Sequence, residues 1–199
     1  MISFKIWLLN EEENQTEGMD EVLNLIKEKH PTVSNTLLEK VKHFVEGSGV
    51  KKIQVVSNMR AAGAALHDKI LIVRYVFDLS IERTLYVILH ETAHQYQLKK
   101  YGYVELMKFL HKEITPDEAV QILRKIETVA DEFAIRKLIN LQLSGEKINA
   151  RLISPAYKGV SDSMLKSTIL AFRTGLKDVD EKDPIVSAEI LANLIGVIE

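Results

Sequence analysis

Five consecutive residues, His90-Glu91-Thr92-Ala93-His94, follow directly on the apolar run Leu85-Tyr86-Val87-Ile88-Leu89. On a helix, positions i and i+4 share a face, so His90 and His94 would present two imidazoles side by side. That pair suits Zn2+, which accepts imidazole nitrogen at about 2.0–2.1 Å and requires at least one further protein ligand. Glu91 stands next to the first ligand and can point into the same cleft, where it would take a proton from water made acidic by the metal. A single histidine on a helix is ordinarily packed or solvated. Here two of them interrupt a stripe of Leu85, Ile88, Leu89, Thr92 and Tyr96 that otherwise reads as core, and imidazoles on a buried face need partners.

A second constellation lies downstream, Glu127-Thr128-Val129-Ala130-Asp131-Glu132-Phe133-Ala134. Glu127 and Asp131 are again i and i+4, and Ala130 and Ala134 keep the adjoining surface low, so this helix can approach the histidine helix closely. Glu127 then becomes the third zinc ligand, and Asp131 accepts the free N–H of a metal-bound imidazole. Taken alone, the two carboxylates would read as solvated charges paired with Arg124 or Lys125. The preceding His-Glu-x-x-His tips the balance towards ligation.

The elements that must position these residues follow from periodicity and punctuation. Residues 3–9 read as a strand and 10–18 as a polar loop. Amphipathic helices are predicted over 19–29 and 35–46, the second stopped by Gly47-Ser48-Gly49. Strands are predicted over 50–57 and 69–76. The linker between them, 58–68, is rich in small residues, which would admit either a substrate backbone or a packed helix, or simply form a tight turn. Ser80 can cap a metal-bearing helix from Ile81 to about Lys100, ended by Tyr101-Gly102, with a separate helical segment over 103–112. Thr115-Pro116-Asp117-Glu118 is a capping box with proline at the first helical position, opening a helix that runs to Leu143 before Ser144-Gly145. Residues 146–161 read as loop, and helices are predicted over 162–175 and 184–198. His30 and His43 lie near helix ends with no motif around them and read as surface residues.

The chain has 199 residues, 46% hydrophobic and 27% charged, with a formal net charge of −2. That is enough for a real core and offers no electrostatic case for nucleic acid or an anionic membrane. The sequence holds no cysteine, which excludes disulfides, thiolate-ligated zinc and thiol catalysis. The N-terminal stretch is too short and too soon acidic for a signal peptide, and no run reaches the length of a membrane span. The expectation is a cytoplasmic protein.

The two motifs together, His90-Glu91-Thr92-Ala93-His94 and Glu127-x-x-Ala130-Asp131-x-Phe133-Ala134, resemble those of the gluzincin metallopeptidases. Among these the chain looks most like the ImmA/IrrE-type group, over roughly residues 50–143. The resemblance implies an α+β zincin-like fold: a small twisted sheet packed on the His-Glu-x-x-His helix and on a glutamate-bearing helix. That domain would span 1–145, and 146–199 would form a helical C-terminal extension packed on it. The implied activity is zinc-dependent hydrolysis of peptide bonds in a protein or peptide substrate, with His90, His94 and Glu127 holding Zn2+. Glu91 would deprotonate the attacking water and return the proton to the leaving amine. A donor to the oxyanion is expected as well. Tyr157, His67 and Tyr96 are the candidates, and Tyr157, in a loop bounded by Pro155 and Gly159, is preferred. The chain departs from that group in having Asp131 where Asn is usual, and it has no helix-turn-helix segment. Arg60-Ala61-Ala62-Gly63 also resembles SprT-like peptidases, for which His111 would be the third ligand, but the Gly-Pro expected after that histidine is absent. The alternative from another class is a non-catalytic zinc-binding regulatory module that retains a peptidase-like site.

Overall fold

Gly18, with φ 121°, turns the chain from a two-residue strand, β1 (Thr16–Glu17), into helix α1 (Met19–Lys29). The computed structural model describes residues 16–57, 62–66, 69–110 and 115–153. Helix α1 buries Val22, Leu23 and Ile26, the apolar members of its amphipathic pattern. Helix α2 (Asn35–Gly47) starts at Ser34, whose hydroxyl accepts from the Leu37 N–H at 2.9 Å, and buries Leu37, Leu38, Val41 and Val45. Both helices fall where the spacing places them.

Three further strands follow: β2 (Lys52–Val56), β3 (Gly63–Ala65) and β4 (Lys69–Val73). They form one mixed sheet with β1 in the order β1-β2-β4-β3, in which β2 and β4 are parallel and both outer pairs antiparallel. Strand β2 alternates, with Ile53 and Val55 buried, whereas β4 is buried from Ile70 to Val73. A strand with both faces covered loses the alternation and reads as a continuous apolar run.

Strand β3 lies within the small-residue linker, where no strand was predicted. Gly-Ala-Ala has little strand propensity of its own. Pairing with Ile70, Leu71 and Ile72 of β4 holds it. Strand β4 also ends earlier than the expected 69–76, because Arg74–Asp78 winds into a 3-10 turn. Val76 and Phe77 of that turn are fully buried, and the Val76 carbonyl accepts the Thr84 hydroxyl at 2.8 Å. The turn thus aims the chain into the next helix.

Helix α3 runs from Ile81 to Leu110 without a break, correcting the stop predicted at Gly102. A glycine inside a helix costs about 1 kcal/mol relative to alanine, too little to end a helix unaided. Helix α4 (Pro116–Leu143) begins with the predicted capping box: the Thr115 hydroxyl accepts from the Glu118 N–H, and Glu118 accepts from the Thr115 N–H at 2.7 Å. It ends at Ser144, with Gly145 at φ 91°. Leu85, Ile88 and Leu89 of α3 join α1, α2, the sheet, and Ala134, Leu138 and Leu141 of α4 in one apolar cluster.

The fold is therefore α+β, a small mixed sheet surrounded mainly by helices. Of the expected C-terminal extension, residues 146–153 are described. Glu82 accepts from the Asn149 N–H at 3.1 Å and Gln142 from the Ala150 N–H at 3.0 Å, which fasten this segment to α3 and α4. The predicted strand over 3–9 and the predicted helices over 162–175 and 184–198 lie outside the described residues. No helix among the described residues is long and apolar enough to cross a membrane.

Ala134 is fully buried in the cluster that α4 shares with the other elements. Ala134→Leu would have to overpack that cluster, so urea denaturation should show a loss of about 1–3 kcal/mol.

Candidate metal centre

Helices α3 and α4 run antiparallel, with Tyr86 meeting Asp131, His90 meeting Glu127 and Asp131, and Gln97 meeting Ile126. In an antiparallel pair, two i, i+4 pairs interdigitate: His90 lies between Glu127 and Asp131, and Glu127 lies between His90 and His94. Ala130 at 0% exposure and Ala93 at 3% are the small residues that let the helices come this close.

His90 Nε2 is 3.0 Å from His94 Nε2, His90 Nε2 is 3.2 Å from Glu127 Oε2, and His94 Nε2 is 3.5 Å from Glu127 Oε1. Three atoms each about 2.0–2.1 Å from one ion, at tetrahedral angles, stand about 3.3 Å apart. The triangle therefore has the dimensions of three corners of a tetrahedral coordination sphere. Glu127 Oε1 is enclosed and has no hydrogen-bond partner, although the side chain as a whole keeps 28% of its surface. An enclosed carboxylate oxygen without a donor is costly unless a cation meets it. These three residues could hold a metal ion.

The outer nitrogen of each ring faces an acceptor oxygen. His90 Nδ1 lies 2.9 Å from Asp131 Oδ1, off the line of a straight hydrogen bond. The same Asp131 oxygen accepts the Tyr86 hydroxyl. His94 Nδ1 lies 2.8 Å from Gln97 Oε1. Asp131 thus lies beside the His90 ring. Tyr86 and Gln97 were not singled out, since their parts depend on the register of α3 against α4, which no local pattern encodes.

The imidazoles and carboxylates of the cluster stabilise each other's charged forms. Burial works against protonation of His90, but the carboxylates of Asp131 and Glu127 outweigh it and raise its pKa well above the usual value. For His94 burial is again opposed and outweighed, chiefly by Glu127. Burial also opposes the charge of Glu127, yet the two imidazoles hold its carboxyl far below the ordinary carboxylate range.

Glu91 and Gln95 lie one residue beyond the two histidines, rotated by about 100° on the helix, and so face the sheet. Gln95 donates to the carbonyls of Leu66 and Lys69, the latter at 2.9 Å, clamping the β3–β4 hairpin onto α3. Glu91 packs on Gly63: a Cβ at that glycine would stand 2.7 Å from Glu91 Cγ and 2.8 Å from Oε1. Residues 62–66 are buried. The small side chains of this linker therefore accommodate the close approach of α3, one of the uses that their size allows.

Tyr96 turns away from the cluster. Its hydroxyl reaches the Phe44 carbonyl of α2 at 3.4 Å, and it is 36% exposed. This removes it from the candidates for an oxyanion donor and from the buried stripe. A position two residues beyond His94 lies on the opposite side of the helix. Tyr157, His67 and His111 lie outside the described residues. No protein-family model, no curated protein and no solved structure gives a significant match to this chain.

Elemental analysis of protein offered a first-row divalent metal should find about one ion per chain, and His94→Ala or Glu127→Ala should abolish or sharply reduce it. Protons compete for the same imidazole nitrogens. Because both ring pKa values are raised, affinity should fall as pH is lowered, beginning at a higher pH than for ordinary imidazole ligands. Chelator competition across a pH series measures this.

Proposed function

We propose that this chain is a zinc-dependent metallopeptidase of the gluzincin type, resembling the ImmA/IrrE-like group and built on a zincin-like fold. The observation that carries the reading is the placement of Glu91. It is 5% exposed and flanks the His-His-Glu triangle without belonging to it, with its carboxylate pressed against Gly63. A metal that only staples two helices does not require a carboxylate at that position. A hydrolase has one, as general base.

His90, His94 and Glu127 would hold the zinc through two imidazole nitrogens and a carboxylate, leaving a further position open. Bound there, zinc would polarise a carbonyl and make water acidic at neutral pH. Glu91 accepts the proton of the attacking water and delivers it to the leaving amine, so that one carboxylate serves both halves of the hydrolysis. Asp131 and Gln97 face the outer nitrogens of two rings whose Nε2 atoms lie towards Glu127. The substrate in this reading is a protein or peptide.

A non-catalytic zinc-binding module is the second reading, and one observation favours it: the two imidazole residues, His90 and His94, are both no more than 6% exposed. The Glu127 side, with 28% of its side-chain surface open, is where a substrate would have to enter.

Glu91→Gln separates the two readings. It should retain about one zinc per chain while cleavage of a peptide library, read by mass spectrometry, drops at least about 100-fold. A wild-type protein that holds zinc and cleaves nothing in the library would favour the non-catalytic module. Gly63→Ala should likewise keep its zinc, since it touches no ligand. Displacing Glu91 by a fraction of an ångström should lower turnover by about 10–100-fold.

A further inference from the structure

The two histidines are backed by different partners. His90 Nδ1 faces Asp131, a carboxylate that also takes the Tyr86 hydroxyl. His94 Nδ1 faces a neutral amide, Gln97 Oε1, at 2.8 Å, and the other end of that amide, Nε2, donates to the Ile126 carbonyl at 2.8 Å. Gln97 is 9% exposed, so water competes little for either end. Ile126 immediately precedes Glu127 on α4.

These two contacts fix a proton. A carbonyl oxygen can only accept, so the NH2 end of the Gln97 amide must face Ile126. The oxygen end then faces the His94 ring, and an amide oxygen also only accepts. The ring nitrogen opposite must therefore be the donor, which puts the proton of neutral His94 on Nδ1 and leaves the Nε2 lone pair free. That lone pair points at Glu127 and His90 Nε2, where a metal ligand has to point. A backbone carbonyl on one helix thus sets the tautomer of a histidine on the other.

Resting on the reading of this cluster as a metal site, we propose that Gln97 is the positioning residue that makes His94 an Nε2 ligand and couples metal binding to the seating of α4. The Ile126 carbonyl has two lone pairs, so it can take Gln97 beside its own helical hydrogen bond. Withdrawing α4 would release the Gln97 amide, free its orientation and with it the His94 tautomer, and carry Glu127 away in the same movement. Loss of the third ligand and loss of ligand preorganisation are then one event. His90 needs no such device, because the Asp131 carboxylate it faces accepts at both oxygens and has no orientation to fix.

The test compares wild type with Gln97→Met, nearly equal in size but without the amide, and Gln97→Glu, which still accepts from Nδ1 but cannot donate to Ile126. Zinc dissociation constants come from competition with a chromogenic chelator, and Tm is recorded with and without zinc. Gln97→Met should bind zinc about 10–100-fold more weakly than wild type, the usual cost of removing a partner of a ligating histidine. Gln97→Glu should recover part of that affinity, while the Tm of its metal-free form stays as low as that of Gln97→Met. Unchanged affinity in Gln97→Met, whatever its Tm, would overturn the proposal, as would equal losses of affinity in both variants. One measurement needs no variant: 15N chemical shifts of the zinc-loaded wild type should show His94 protonated at Nδ1 and coordinated through Nε2. The opposite assignment would overturn the proposal. Absence of zinc binding in wild type would refute the metal-site reading itself, and is seen before any variant is compared.

Discussion

Everything in this site depends on how closely α3 and α4 approach. Four polar side chains on two antiparallel helices interleave only if the surface between them is low, and Ala93, Ala130 and Ala134, all at 3% exposure or less, keep it low. Larger residues would push the two helices apart. The imidazoles and the carboxylate would then no longer meet. Close packing is therefore the condition for the cluster. The long helices supply it cheaply, since Leu138 and Leu141 of α4 pack with Leu85, Ile88 and Leu89 of α3 in the same apolar cluster.

The close approach creates an electrostatic problem whose solution defines the centre. Imidazoles and a carboxylate are taken out of water together, and burial opposes charge on each of them. Among themselves, the carboxylates favour protons on the two rings and the rings favour charge on Glu127. A divalent cation would answer the same demand with one ion in place of those protons, using the lone pairs that Asp131 and Gln97 already direct inwards. The neighbouring face of α3 then carries a separate duty: Gln95 ties down the β3–β4 hairpin, and that hairpin brings Gly63 against Glu91. One helix thus presents His90 and His94 to α4 and Glu91 to the sheet, by the 100° step between adjacent residues.

Much of this was legible in the chain because it is written in helical periodicity. His90 with His94 and Glu127 with Asp131 are local pairs whose faces follow from spacing alone, and Thr115-Pro116-Asp117-Glu118 announces its helix by side-chain chemistry that any capping box shares. What escaped is what only tertiary contact decides. Strand β3 is three residues of poor propensity held by β4 and by the amide of Gln95. Gly102 carries a helix onward because a small local penalty does not outweigh continuous hydrogen bonding. Tyr86 and Gln97 look like any helical residues until the register of α3 on α4 is known. Tyr96, two residues past His94, faces α2 instead of the cluster.

The claim on which all of this rests is that two imidazoles and one carboxylate meet a single ion between α3 and α4. X-ray absorption at the zinc edge of the loaded protein tests it directly. The expected spectrum is a shell of light atoms at about 2.0–2.2 Å, with the outer-shell scattering of two imidazole rings. A shell of oxygens alone, or the signature of a single ring, would place the metal elsewhere and contradict the assignment.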